Sequence, residues 1–85
     1  MGDAATRRAI EAVYRIERSK LVAGLARMLR DLDAAEELAQ DAFLAALTDW
    51  PATGIPDRPG AWLVTTARRR AIDALRRRQL HADKE

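Results

Sequence analysis

Residues 33–49 read Asp33-Ala-Ala-Glu-Glu-Leu-Ala-Gln-Asp-Ala-Phe-Leu-Ala-Ala-Leu-Thr-Asp49, and this stretch decides the class of fold. Asp33 and Glu36 have the spacing of a capping box, in which the first side chain accepts from a backbone N–H and the second reaches back. The spacing therefore predicts an amphipathic helix over about 34–49. Its apolar stripe is open between two faces, either Leu38, Ala42, Ala45 and Ala46 or Leu38, Phe43, Leu44 and Leu47.

The next segment, Trp50-Pro-Ala-Thr-Gly-Ile-Pro-Asp-Arg-Pro-Gly60, holds all three prolines and two of the four glycines. Proline lacks a backbone N–H and disturbs a helix interior, so this composition predicts a loop over 50–60. Either Asp57 or Arg58 is expected to cap the helix that follows, with Pro59 tolerated in its first turn.

The last helix is predicted from Ala61 to about Gln79, and the tail from Leu80 is expected to fray. The residues of this helix available to a core are Trp62, Leu63, Thr66, Ala67, Ile72 and Leu75.

Residues 6–32 predict one long helix or two nearly collinear helices with a break near Ser19, because their apolar residues recur mostly at spacings of three, four and seven. These residues are Ile10, Val13, Tyr14, Leu21, Leu25, Met28, Leu29 and Leu32.

Length and composition limit the fold and the chemistry. A chain of 85 residues that is rich in Ala, Leu and Arg, with 5% aromatic residues, predicts a single all-α domain, a small three- to four-helix bundle. It has no cysteine and one histidine, His81, so we expect no disulfide, no metal and no cofactor. No activated nucleophile is evident, which favours a binding module over an enzyme. Without a signal-like or membrane-spanning stretch, a cytoplasmic protein with no membrane partner is expected.

Charge is strongly segregated along the chain. Residues 1–30 carry a net charge of +4, residues 31–57 carry −7 without a single Lys or Arg, and residues 58–85 carry +5. Two differently charged faces predict two different partners, although solvated faces that cluster by sign are an alternative.

Two sets of polar residues are candidates for these faces. One set is a polar strip beside Leu38 and Leu44, made of Glu37, Gln40 and Asp41, and it suits docking onto a basic helical partner. The alternative is that this strip is an ordinary solvent-exposed face. The clusters 68–70 and 76–78 are three arginines each, eight positions apart, and are predicted to project over the same side of the last helix along a phosphate path. The alternative is that the two clusters form a solvated helix face and that their arginines pair with Asp73.

Trp50 and Trp62 flank the predicted loop. Tryptophans in such positions are more often part of the core, but next to a basic helix Trp62 also suits an unstacked base.

The acidic stretch Asp33-Ala-Ala-Glu-Glu-Leu-Ala-Gln-Asp-Ala-Phe43, followed by Trp62-Leu63 and Ala67-Arg-Arg-Arg-Ala-Ile-Asp-Ala-Leu-Arg-Arg77, resembles region 2 of the extracytoplasmic-function (ECF) sigma factors. The resemblance covers residues 8–80. It implies a helical bundle that binds the beta-prime clamp coiled coil of RNA polymerase and the minus-ten promoter element as unpaired non-template strand. An anti-sigma factor is a further candidate partner.

The resemblance assigns roles to particular residues. Those that match the polymerase-binding helix are Glu37, Leu38, Gln40, Asp41 and Leu44. Residues 51–58 match the segment that captures a flipped base. The residues that match the DNA-binding elements are Arg58, Trp62, Thr65, Arg69, Arg70 and Arg77.

Two features depart from the family pattern. Arg69 stands where many members have Asn, and a complete sigma factor continues to a region 4 domain that reads the minus-thirty-five element. We therefore expect an excised fragment or a protein without that half, with weak promoter recognition by this chain alone. The competing hypotheses are a duplex-binding helix-turn-helix regulator and a protein-interaction bundle without a nucleic-acid role.

Overall fold

The computed structural model describes residues 3–84, which form three helices. These are α1 (Asp3–Leu29), α2 (Leu32–Thr53) and α3 (Pro59–Lys84). The described part of the chain contains no strand, so the predicted all-α bundle is confirmed with three helices. None of these helices combines the length and apolar character needed to cross a membrane.

The first helix is continuous, which decides between the two predicted forms. Ser19 and Gly24 both lie inside α1. The helix is closed by Arg30, whose backbone is left-handed (φ 55°) and whose N–H donates to the carbonyl of Ala26 at 2.7 Å. This is the single-bond form of a left-handed helix cap.

The cap of α2 is Asp31, and the predicted capping box of Asp33 and Glu36 is wrong. Asp31 has an extended backbone (φ −153°), and its carboxylate accepts from the N–H of Ala34 at 3.1 Å. The helix begins earlier than predicted, which places Asp33 inside its first turn. Glu36 instead accepts a hydrogen bond from Arg18 of α1.

The predicted loop over 50–60 is wrong at both ends, because α2 continues through Pro51 to Thr53 and α3 already begins at Pro59. A proline near a helix end removes one backbone hydrogen bond, and other bonds hold this last turn. The N–H of Gly54 donates to the carbonyl of Trp50 at 2.7 Å, and the Thr53 hydroxyl donates to the carbonyl of Asp49 at 3.0 Å. The connection to α3 is therefore residues 54–58 only.

The third helix starts and ends differently from its predicted limits. Pro59, which was expected to be tolerated in the first turn, is the first residue of α3. The N–H of Trp62 donates to the carbonyl of Arg58 at 3.2 Å, so the residue that caps the helix is Arg58 and not Asp57. At the other end α3 runs to Lys84, and the stretch after Gln79 that was expected to fray is helical.

The core is built around a line of alanines on α2. Because these side chains are short, the neighbouring helices can approach closely, and larger side chains of α1 and α3 fill the space between them. This pattern matches the first predicted stripe more closely than the second, since Leu44 is 51% exposed. The buried residues of α2 are Ala35, Ala39, Ala42, Ala46 and Trp50; those of α1 are Ile10, Tyr14, Leu21, Val22 and Leu25; those of α3 are Leu63, Ala67 and Ala71.

Two aromatic pairs join the helices. Tyr14 of α1 stacks on Phe43 of α2 with ring centroids 4.4 Å apart. Trp50, which is 1% exposed, meets the edge of Trp62 at 5.1 Å and thereby fixes the start of α3 against the end of α2. Trp50 therefore belongs to the core, as its position in the sequence favours.

The third helix extends past the end of the bundle. Gly60 lies against the carboxylate of Glu17, more than halfway along α1, so α3 passes the end of α1 well before its own end. Among the residues of α3 up to 82, the last buried one is Ala71. Ile72 and Leu75, which were predicted for the core, are 40% and 42% exposed because the remaining turns have no helix beside them.

Candidate functional site

The polar strip of α2 faces away from the core. Glu37, Gln40 and Leu44 are exposed and Asp41 is half-buried. At about 100° per residue, these four side chains lie on the side of α2 opposite the buried alanines. We call Glu37, Gln40, Asp41 and Leu44 the acidic strip; it presents carboxylates, an amide and one large apolar side chain to solvent.

Leu38 does not stand among the exposed members of the strip. It is half-buried and packs against the hydrophobic core. On a helix it lies about 100° away from Glu37, and this rotation turns it towards the packed side. Leu38 therefore holds α2 in place beneath the acidic strip.

A contact between α1 and α2 supports the orientation of the acidic helix. Arg18 donates to Glu36 at 3.2 Å, and both side chains are about half exposed, so the pair is worth little energy in water. Beside it, burial raises the pKa of the Tyr14 phenol, and the positive charge and hydrogen bond of Arg18 act in the opposite direction. The sequence contained no signal for this pair, because its members are 18 residues apart on different helices.

The predicted nucleic-acid residues lie along α3 and the connection before it. Thr65, Arg69 and Arg70 are exposed, as are Arg77 and Arg58, while Trp62 is half-buried against Trp50. The five α3 residues among them span about 140° of the helix, which is one side of it. These five residues of the predicted set therefore share one side of α3, and Trp62 is the one nearest its N-terminus.

The two arginine clusters do not form a single row. Eight residues leave the clusters about 80° apart, and each cluster of three fans over about 200°. The rows instead run at a spacing of seven, which joins Arg69 to Arg76 and Arg70 to Arg77. Arg76, which belongs to the predicted second cluster but was not assigned by the family resemblance, therefore joins this row, and Arg68 lies on the other side of α3.

The arginines of α3 are available to a partner. All six are exposed, and among the side chains of residues 4–82 the salt bridges are Arg7 to Glu11 and Arg18 to Glu36. The predicted alternative, in which these arginines pair with Asp73, has no support in the described contacts. The described residues also include no cluster of side chains that could hold a metal ion.

The family model for sigma-70 region 2 matches residues 13–81, which include the whole acidic strip and most of α3. The chain is also 36% identical over 81 residues to the ECF RNA polymerase sigma factor SigK of Mycobacterium sp. (strain KMS), covering 91% of this chain and 40% of that protein. The protein of the same name from Mycobacterium sp. (strain JLS) matches equally well.

A further relative is an uncharacterised protein of Rhizobium meliloti (strain 1021), 45% identical over 60 residues. That alignment covers 71% of this chain and 14% of the relative, so the chain spans less than half the length of these relatives. No solved structure matches the chain significantly. The family match and the mycobacterial relatives agree with the helical architecture and with the order of the acidic and basic motifs, and the chain belongs to the sigma-70 region 2 family, as the resemblance to ECF sigma factors predicted.

Proposed function

We propose that this domain acts in transcription initiation, docking on RNA polymerase through the acidic strip and holding single-stranded promoter DNA through residues 54–58 and α3. The observation that carries the proposal is the separation of two exposed, oppositely charged surfaces onto different helices of one small bundle. Opposite charges steer a domain towards different partners. Relatives named as RNA polymerase sigma factors support the same assignment.

The acidic strip suits the beta-prime clamp coiled coil, a partner that the family resemblance implies. Its exposed carboxylate Glu37 and half-buried Asp41 lie on the two turns that precede Leu44, so a helix docked there would meet both charge and apolar surface. Because the alanines on the far side of α2 pack the core, the strip is presented on a rigid element.

The basic side of α3 suits an unpaired strand. Arg69, Arg70 and Arg77 are exposed and can follow a phosphate path, and the neighbouring Trp62 is only half-buried. An aromatic face beside a line of cations is the combination that single-stranded nucleic acid uses, since bases stack while phosphates are neutralised. We infer that the connection 54–58 contributes the remaining contacts to a flipped base.

The shape of the molecule weighs against the duplex-binding alternative. A helix-turn-helix joins its two helices by a short turn at about 90–120°. This molecule measures 52 × 22 × 19 Å, and a helix as long as α3 is about 39 Å, so it must lie along the long axis. The other helices are similarly long, which favours a bundle of nearly parallel axes.

The experiment that tests the polymerase contact is binding to a purified beta-prime clamp coiled-coil fragment. We expect the double reversal Glu37→Lys, Asp41→Lys to weaken binding at least about tenfold, because two attractive pairs become repulsive. A matched reversal at Asp49→Lys, Asp73→Lys changes the net charge equally but lies off the strip, and should bind within about threefold of wild type.

Circular dichroism and thermal unfolding of each variant separate lost binding from lost folding. If both double reversals weaken binding equally, only net charge matters and the assigned strip is wrong. Failure of the folded wild-type domain to bind the fragment would instead favour the interaction-bundle alternative.

A further inference from the structure

A second groove lies between α1 and α3, away from the acidic strip. It has a volume of about 480 Å³. Buried Leu21 and Leu25 form its floor, and the exposed side chains of Met28 and Val64 form its walls. Gly24 lies between the two leucines, and nothing stands within 4 Å of the place where its side chain would be. The absence of a side chain at this position deepens the groove.

The apolar wall continues along α3 beyond the groove. Val64, Arg68, Ile72 and Leu75 are spaced four, four and three residues apart, which places them on one face of the helix. Val64, Ile72 and Leu75 are each about 40% exposed. This face is about 16 Å long, or three helical turns; its centre lies on another side of α3 from Arg69, Arg70 and Arg77, and Ile72 is where it borders Arg69.

The rim of the groove is uniformly positive. Lys20, Arg27 and Arg68 line it, and no acidic side chain is among its described lining residues. All three cations are exposed. A ligand for this surface must therefore combine an apolar ridge with negative charges on both sides of it.

We propose that the groove between α1 and α3 binds an acidic amphipathic helix of a partner protein. A helix laid in such a groove contacts it through apolar residues at i, i+4 and i+7, and its flanking carboxylates would meet Lys20, Arg27 and Arg68. The open position at Gly24 admits a large anchor side chain. The floor is aliphatic and offers no ring for base stacking, which favours a protein helix over a single nucleic-acid strand.

This partner would occupy a surface distinct from both surfaces of the proposed function. The acidic strip lies on α2, and the arginines assigned to DNA lie on another side of α3. A protein bound in the groove could therefore remain on the domain while polymerase is bound, and the two contacts can be tested independently.

The probe is a synthetic, fluorescein-labelled helical peptide of about 15 residues, with Leu at i, i+4, i+7 and i+11 and Glu on both flanks. A control peptide in which every Glu is replaced by Lys reports nonspecific hydrophobic binding. We expect the acidic peptide to bind with a dissociation constant in the range of about 10–100 μM, and the Lys-substituted peptide to bind at least about tenfold more weakly.

Two variants of the full chain locate the site. Gly24→Leu fills the groove without changing charge, and Arg27→Glu, Arg68→Glu reverses the rim; each should weaken peptide binding at least about tenfold. Ala23→Leu adds the same side chain at the exposed neighbouring position and should leave binding unchanged. The reversal Glu37→Lys, Asp41→Lys should leave peptide binding intact or improve it, so failure of the polymerase contact and failure of the groove are distinguishable.

Three outcomes would overturn the proposal. The first is no binding of the acidic peptide at about 1 mM by the folded domain. The second is equal binding by Gly24→Leu and wild type, which would leave only nonspecific charge attraction. The third is that the rim reversal weakens binding of a single-stranded oligonucleotide more than binding of the peptide, which would make this groove a nucleic-acid surface.

Discussion

Gly24 and Gly54 share open surroundings but differ in backbone conformation. An added Cβ would meet nothing within 4 Å at either position, yet Gly24 is helical whereas Gly54 has φ 91°. Alanine in a helix loses less conformational entropy than glycine, and at positive φ it is strained. We expect Gly24→Ala to raise the free energy of unfolding by about 0.5–1 kcal/mol and Gly54→Ala to lower it by about 1 kcal/mol.

Chemical denaturation of both variants measures this difference, and each serves as the control for the other. A loss of stability in both would mean that the left-handed backbone at Gly54 is not the deciding factor.

Tyr14 makes stability sensitive to alkaline pH. Burial raises the pKa of its phenol above 10.0, although Arg18 acts in the opposite direction. The phenol of the folded chain therefore keeps its proton to higher pH than that of the unfolded chain. The contribution of the neutral Tyr14 phenol to the free energy of unfolding is fully present below about pH 10 and is lost as pH rises through the folded pKa.

Denaturation at about pH 9 and about pH 11 tests this sign. Between these two pH values the free energy of unfolding should fall more for wild type than for Tyr14→Phe. The phenylalanine keeps an aromatic ring stacked on Phe43 but cannot ionise. Identical losses would show that the phenol titrates alike in both states.

At the scale of the elements, the alanine line of α2 sets the distance between the helices. Ala39 has no exposed surface, and a larger side chain there would push α1 or α3 away. We expect Ala39→Leu to lower the free energy of unfolding by about 1–3 kcal/mol.

Ala23→Leu makes the same chemical change at an exposed position of α1, and should alter stability by less than about 0.5 kcal/mol. The midpoint of urea unfolding compares the two variants. A tolerated leucine at position 39 would contradict the close packing of this line.

At the scale of the whole molecule, the charge distribution predicts how salt affects DNA binding. We expect the domain to bind single strands of about 12 nucleotides more tightly than duplex. Each phosphate contact contributes about 0.7 to the slope of log K against log salt for single strands.

The variant Arg69→Ala, Arg70→Ala should therefore lower that slope by about 1.4 and weaken binding at low salt. Arg8→Ala, Arg15→Ala removes the same charge from exposed positions of α1 and should change the slope much less. Fluorescence anisotropy over a salt series measures both, and equal effects would show that only net charge attracts the strand.

Local physics accounts for what the sequence alone determined about the fold, namely the all-α class, the three helical segments and the segregation of charge, whereas the family came from the resemblance of its motifs to ECF sigma factors. Helical periodicity and charge order are properties of neighbouring residues, so the acidic strip and the exposed arginines could be placed before any contact was known. The limits of the helices were less predictable. Asp31 capped α2 where Asp33 was expected, and Pro51 stayed helical, because burial of Trp50 and the bonds of Thr53 and Gly54 outweighed the usual effect of proline.

Only the tertiary structure decided which apolar residues are buried and which surfaces are left open. Ile72 and Leu75 have the spacing of core residues, but α3 passes the end of α1 and leaves them exposed. The pairing of Arg18 with Glu36 and the groove over Gly24 each need two helices, and no pattern within one helix contains them. The physical reason is that periodicity specifies a face of a helix, whereas the length over which that face is covered depends on where its neighbours begin and end.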